Sequence, residues 1–371
     1  MTTLPEHLQK ELEEHFKKFK PNEKQKQEIT KRIETLYEDA KIAPGEAIGI
    51  ITAESFGEPS TQMTISSFHF AGVAEMNVTV GLVRLIEVFD ARKKPSTPQM
   101  KLPLKAKYSK TSEMVKEVSM KIKETKLGDI TEEISINVAK GSIEIILDKK
   151  KMRDTDIKLS HILTRLKESF KTLTLKELKD SISLKGKDEI KLSELYKLKE
   201  KAKTIHIAGL KGITQVLPIK DDDGYVIHTA GSNIEDALAM EEVDKSKITS
   251  NDVFEIAKVL GIEAARKAII NESLKVIKDQ GLDIDIRHII FLADVMTRGG
   301  VIKGVTRTGI TGEKESVLAR ASFETPMKHI INATLIGERD DLNSVVENVI
   351  INQPVPLGTG LPGLVMKSNK K

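Results

Sequence analysis

The sequence predicts an α+β fold assembled from several modules, and three observations carry that expectation. Apolar residues recur at helical spacing between residues 4 and 40 and again after residue 250. Short runs between residues 100 and 231 alternate apolar and polar side chains with the two-residue period of strands. The texture also changes twice: lysine takes over and glycine thins near residue 100, and apolar, glycine-punctuated sequence returns near residue 205. A chain of 371 residues has room for two or three domains with cores of their own.

Composition excludes several function classes. An apolar fraction of 39% with 31% charged residues suits a soluble folded chain. No stretch approaches the roughly 18 consecutive apolar residues of a membrane span, and MTTLPEHLQKELEEHFKKFK lacks the apolar run of a secretory signal, so the expected location is cytoplasmic. With no cysteine there is no disulfide framework, thiolate zinc site or cysteine nucleophile. A net charge of +4, from 59 basic against 55 acidic residues, does not by itself indicate a polyanionic partner; local clustering decides.

The elements follow in order. From Leu4 to Ala40 the pattern is helical and charged, broken at Pro21-Asn22, with Ile29, Ile33, Leu36 and Tyr37 giving one apolar docking face. In IAPGEAIGIITAESFGEP, Pro44 suits a helix start and Gly57-Glu58-Pro59 a stop, while Ala47, Gly49 and Ala53 predict burial among neighbours. Leu82, Leu85, Ile86 and Phe89 then mark an apolar helical face. ISINVAKGSIEIILD reads as a strand pair and HILTRLKESF as a helix, within a lysine-rich α+β module. IAGLKGITQVLPIKDDDGYVIHTAG reads as a hairpin turned at Asp223-Gly224. Helices are expected in NDVFEIAKVLGIEAARKAIINESLKVIKDQG, IRHIIFLADVM and VLARASFETPMKHIINATL, with the basic glycine loop TRGGVIKGVTRTGITGEK before the last of these. ENVIINQPVPLGTG is the last expected ordered element, ahead of a basic tail.

Several candidate sites in the chain have plainer structural roles. KDDDGY offers carboxylates for Mg²⁺, but adjacent strand residues point to opposite faces and Asp-Gly between alternating runs signals a hairpin. GTGLPG matches a phosphate loop by letter only, since Pro362 follows where a helix should open. The eight histidines have no metal spacing. On a helix beginning near Ser60 or Thr61, however, Gln62, Ile65, Ser66 and His69 share one face that has no carboxylate. Such a face suits an anionic, partly apolar ligand such as a nucleotide. The plainer alternative is an amphipathic helix with a histidine on its polar side, and spacing alone prefers it. β-Branched Thr61, Thr64 and Ile65 make an isolated helix here marginal, so it is expected to fold against something that docks on it.

PGEAIGIITAESFGEPSTQMTISSFHFAGVAEMNVTVGLVRLIEV resembles the trigger-loop region of the largest subunit of multisubunit DNA-directed RNA polymerases. The likeness continues in the family's order through GITQVLPI, DVFEIAKVLGIEAARKAI, DVMTRGG, LARASFE and ENVIINQPVPLGTG, leaving out the extreme N-terminus and residues 100–204. The position of the motif resembles archaeal polymerases, whose largest subunit is split, and in them the C-terminal piece.

The resemblance implies a nucleotidyltransferase active only with companion subunits, making RNA on a DNA template from ribonucleoside triphosphates. It implies that the strip closes as a helix over the incoming triphosphate, with Gln62 recognising the ribose, Ile65 packing on the base and His69 contacting the phosphates. Ser66 stands where relatives carry asparagine, and Glu54 where many carry glutamine. Phosphoryl transfer is catalysed mainly by positioning and charge stabilisation, which such closure supplies. The family's metal-binding aspartates are absent, so Mg²⁺ is expected on the companion N-terminal piece of the largest subunit. The second-largest and small subunits, the DNA template and the RNA product are the other expected partners.

The glycine-rich loop with Arg298, Lys303 and Arg307 resembles the clamp hinge near template DNA, and residues 100–204 correspond in position to the jaw. The expected division is thus 1–43 docking helices, 44–99 trigger-loop segment, 100–204 jaw-like module and 205–371 cleft and clamp region. A non-catalytic nucleic-acid-binding or assembly scaffold, and an independent nucleotide-binding enzyme, are the alternatives.

Overall fold

The computed structural model describes residues 4–19, 21–65, 81–109, 111–137, 142–154, 157, 159–170, 173–177, 181–186, 192–221, 224–306 and 308–362. They form two compact units, one of residues 1–54 with 314–371 and the other of residues 55–313. The chain opens with α1 (Glu6–Phe19) and α2 (Glu23–Asp39), broken at Pro21-Asn22 as the sequence predicts. Asn22 N–H donates to the Gln25 side chain at 3.1 Å and closes the start of α2. The apolar face of α2 is present but unburied: Leu36 is 60% and Ile29 39% exposed.

Next comes α3 (Ile48–Ile65), which departs from the expectation at both ends. Pro44 does not start it, because Ala43 to Glu46 form a turn with Gly45 at φ +93°. Gly57-Glu58-Pro59 does not stop it either, so Gln62 and Ile65 lie in the last turn of a long helix rather than near the start of a new one. Proline ends a helix only by preference; its missing N–H and ring clash cost about 3 kcal/mol, which surrounding packing can offset. Gly49 and Ala53 are exposed, against their expected burial.

Residues 55–313 hold most of the regular structure. Its helices are α4 (Leu82–Phe89), α5 (Ser112–Ile122), α6 (Leu127–Ile130), α7 (Lys149–Asp154), α8 (Leu159–Ser169), α9 (Leu192–Lys203), α10 (Ile234–Ala239), α11 (Val253–Leu260), α12 (Ile262–Asp279) and α13 (Ile286–Thr297). Its strands are β1 (Gln99–Pro103), β2 (Thr125–Lys126), β3 (Thr131–Asn137), β4 (Ser142–Leu147), β5 (Leu173–Glu177), β6 (Ser181–Gly186), β7 (His206–Ala208), β8 (Gln215–Asp221), β9 (Gly224–Ala230) and β10 (Thr249–Ser250).

Two four-stranded antiparallel sheets result, ordered β10-β1-β9-β8 and β3-β4-β6-β5, with β2 and β7 as a separate pair. Both expected hairpins form. Asp221 pairs with Gly224 and Asn137 with Ser142; their turn residues lie outside the described ones. Of the KDDDGY carboxylates, Asp221 belongs to a hairpin strand end.

Each sheet has its own core. The first gathers Met100, Leu102, Val118, Ile122, Ile227 and Ile269, so β1 and α5 pack with the later helices. The second is made within residues 127–208, with Ile143, Ile145, Ile162, Leu166, Ile182 and Leu184 almost wholly buried. The long helical stretch after residue 251 divides into α11 and α12 at Gly261, whose φ of +96° suits only glycine.

The remainder of the first unit comprises α14 (Val317–Phe323), α15 (Pro326–Ile336) and α16 (Val345–Ile350), then a short 3₁₀ turn at Gly358–Gly360. The run expected as one helix is thus two. Glu324 is extended, Thr325 is left-handed at φ +52°, and Pro326 opens α15 at a position where its missing N–H costs nothing. Ser316 caps α14 through the Ala319 N–H at 3.0 Å, and Asp340 accepts from Ser316 Oγ, Leu318 N–H and Leu342 N–H. Burial pushes the Asp340 carboxyl up, but these hydrogen bonds outweigh it and hold it below the usual range.

Candidate functional site

The site grows from the two helices on either side of residues 66–80. In α3, Ser60 Oγ returns to the Phe56 carbonyl at 2.6 Å and Thr61 Oγ1 to the Gly57 carbonyl at 3.2 Å, a bonding pattern that slightly loosens a helix. Pro59 has no N–H to give to the turn before it. The anchors are mainly apolar: Met63 is 6% exposed in the first core, and the Phe56 ring meets Phe89 of α4 edge-on, with centroids 5.3 Å apart; Ser55 Oγ adds a polar contact to His288 Nε2 at 3.4 Å.

Helix α4 is held differently. The expected face of Leu82, Leu85, Ile86 and Phe89 is rotated: Ile86 is 41% exposed, while Arg84, Leu85, Glu87 and Val88 are buried. Arg84 gives Nη1 to Glu87 at 3.1 Å, Nη2 to Glu272 of α12 at 3.0 Å and to the Asn251 carbonyl at 2.6 Å, and Nε to Glu272 at 3.3 Å. Glu87 also accepts from the Ser96 N–H at 3.3 Å and from its hydroxyl. Burial works to raise the Glu87 pKa, yet the Ser96 and Arg84 hydrogen bonds together lower it, so the carboxylate stays ionised. Asn251 extends the network by bonding Gln99 N–H and the Thr97 carbonyl, both at 2.7 Å. A buried guanidinium with this many partners fixes the helix bearing it.

The glycine-rich loop leaves α13, whose start is capped by Asp285 accepting from Arg287 N–H at 2.9 Å. The Arg287 guanidinium bonds Asp285 and, against burial, brings its pKa down to about 2. Asp294 of α13 pairs with Arg266 of α12. Arg298, the C-cap residue of α13, is exposed, and Gly300 at φ +73° turns the chain. Lys303 N–H returns to the Met296 carbonyl at 3.0 Å, while its ammonium pairs with Glu313.

Of the sequence-derived site residues, Gln62 and Ile65 lie on the last turn of α3, with side chains outside the described residues. Ser66, His69 and Arg307 lie outside the described residues altogether. Arg298 and Lys303 sit at the two ends of one short loop segment. The sequence reading missed Arg84, Glu87, Asn251 and Glu272. An Arg and Glu three residues apart, flanking Leu85, was the available signal for the first two. Among the described residues no three His, Asp or Glu side chains converge on one point.

The chain belongs to the family of the largest RNA polymerase subunit: residues 11–318 match the family described as RNA polymerase Rpb1, domain 5. It is a C-terminal largest-subunit piece with an α+β fold. Among individual relatives, the chain is 44% identical over 363 residues to the DNA-directed RNA polymerase subunit Rpo1C of Thermococcus gammatolerans. That alignment takes in 98% of this chain and 93% of the relative.

Proposed function

We propose that the chain works within a DNA-directed RNA polymerase, a nucleotidyltransferase that joins ribonucleoside triphosphates on a DNA template, and supplies the segment that closes on the incoming nucleotide. The family membership carries the reading. Support comes from the contrast in anchoring between α3, whose last turn carries Gln62 and Ile65, and α4, which Arg84 ties to Glu272.

In this reading Gln62 contacts the ribose, Ile65 packs on the base, Ser66 adds a hydroxyl nearby and His69 donates to the phosphates. An imidazole with an ordinary pKa near 6.5 serves as hydrogen-bond or proton donor to the departing pyrophosphate. Closure excludes water and aligns the reacting atoms, the dominant contribution to phosphoryl transfer. Mg²⁺ belongs to the assembled enzyme and is held by the companion N-terminal piece of the largest subunit. The remaining partners are the second-largest and small subunits, template DNA and product RNA.

Residues 1–43 dock, 44–99 carry the mobile segment, 100–204 form the jaw and 205–371 the cleft and clamp part. Arg298, Lys303 and Arg307 contact phosphates of the nucleic acid without reading its sequence. No helix among the described residues is long and apolar enough to cross a membrane, and the chain is assigned to the cytoplasm.

The test is single-nucleotide addition by reconstituted polymerase carrying His69→Ala. The rate should drop about a hundredfold or more while the complex still holds its template. An unchanged rate removes His69 from the mechanism.

A further inference from the structure

The C-terminus of α4 and the basic glycine loop are one joint. The last turn of any helix leaves carbonyls without partners in the helix. In α4 the chain turns off through Asp90 and then Ala91 at φ +50°, and Arg92 N–H folds back to the Glu87 carbonyl at 3.1 Å. The Phe89 carbonyl is satisfied from elsewhere: Val305 N–H of the loop donates to it at 2.8 Å.

Gly304 makes this approach possible. A β-carbon on it would overlap the carbonyl of Asp90, and one on Gly309 would overlap the carbonyl of Gly304. Three backbones therefore stack where only glycine fits. Ile310 N–H closes the loop on the Gly304 carbonyl at 3.0 Å, and Gly309 N–H on the Thr306 carbonyl at 3.1 Å. Below the joint, Ile302 (7% exposed) and Val88 (4%) belong to the same core. Above it, Lys303 is paired with Glu313, so a phosphate that engaged Lys303 would compete with an existing partner.

We infer that Gly304 is a positioning residue for nucleotide addition: through its contact with Asp90 and the Val305 N–H bond to Phe89, the basic loop sets the placement of the end of α4, and the Phe89 ring carries that placement to Phe56 of α3, the helix whose last turn holds Gln62 and Ile65. A backbone-to-backbone contact has no side-chain slack, so displacement of the loop moves the end of α4 with it. Misplacement by about an ångström is enough to cost up to a hundredfold in rate at a site where positioning does the chemistry. The inference rests on the proposed role of residues 62–69, and its test separates the two.

Polymerase is reconstituted with Gly304→Ala, with His69→Gln and with both substitutions, and single-nucleotide addition is measured at saturating matched triphosphate. Gly304→Ala is expected to slow addition about tenfold or more. The double variant is expected within about twofold of His69→Gln alone, because a joint that acts only through the step His69 serves has nothing further to slow. Val305→Pro removes the N–H donor without adding an atom at residue 304 and is expected to behave in the same way.

If His69→Gln is slow but both joint variants add nucleotide at the normal rate, the inference is wrong and the functional reading stands. Losses that multiply fully in the double variant also overturn it. An unchanged rate for His69→Gln removes the functional reading and the inference with it. Failure of both joint variants to assemble would make the joint a folding element only and overturn the inference.

Discussion

The second half of α3 and the whole of α4 flank the same segment, and they are secured by opposite physics. In residues 55–65 the chain spends a proline, an exposed glycine and two back-bonding hydroxyls on a helix anchored by Met63 and Phe56. In α4, a shorter helix, Arg84 and Glu87 are buried with Leu85 and Val88 and bound to α12, to Asn251 and to Ser96. Apolar contacts are non-directional and allow a helix to slide or rotate. A guanidinium with four hydrogen bonds in a buried site does not. One flank is thus held mainly by apolar packing and the other by a directional charged network.

The largest effect that would break this comparison is at the fixed flank. Arg84→Ala leaves Glu87 and Glu272 without their cation and should destabilise residues 55–313 by about 3–5 kcal/mol in urea unfolding. A loss below about 1 kcal/mol would mean that the network does not hold α4. At the compliant flank, Met63→Ala should cost about 3 kcal/mol by the same measurement, the ordinary price of a cavity in a core.

A smaller effect sharpens the contrast by its sign. Gly57 has nothing within 4 Å of where a β-carbon would stand, so Gly57→Ala should stabilise by about 0.5–1 kcal/mol. It should also slow nucleotide addition in assembled polymerase if compliance of α3 matters. Destabilisation would show that the backbone there is under a constraint the static structure does not display.

The smallest effect concerns pH. Asp285 has its carboxyl brought down to about 2, below the ordinary value near 3.8, so its contribution is complete above pH 4 and is lost as pH falls through 2. Its side chain is 41% exposed, and solvent screens the pair, so the change in unfolding midpoint should be slight and should vanish in Asp285→Asn. Glu87 has the same sign, since its carboxyl is also held low, and Glu87→Gln should remove its share of the stability lost in acid.

What could be read from sequence follows the range of the interactions. The break at Pro21-Asn22 and the hairpins ending at Asp221 and Asn137 are set by neighbours in the chain, and periodicity found them. The helix through Pro59 was missed because proline's local preference was overridden by contacts such as Phe56 with Phe89, which periodicity does not encode. Arg84 and Glu87 were passed over because charged side chains are ordinarily exposed. Their burial depends on Glu272, 188 residues beyond Arg84, and no local pattern announces that partner. Gln62, Ile65, Ser66 and His69 were singled out through resemblance, whereas the joint at Gly304 is made by backbone atoms and leaves only a glycine in the sequence.

The central claim is that residues 62–69 respond to the nucleotide. Hydrogen exchange of these amides in assembled polymerase on a DNA–RNA scaffold tests it most directly, with matched and mismatched triphosphate compared at equal occupancy. Strong protection of residues 62–69 with the matched triphosphate alone, and unchanged protection of residues 84–89 throughout, is the predicted result. Equal protection of residues 62–69 with both triphosphates would contradict the account.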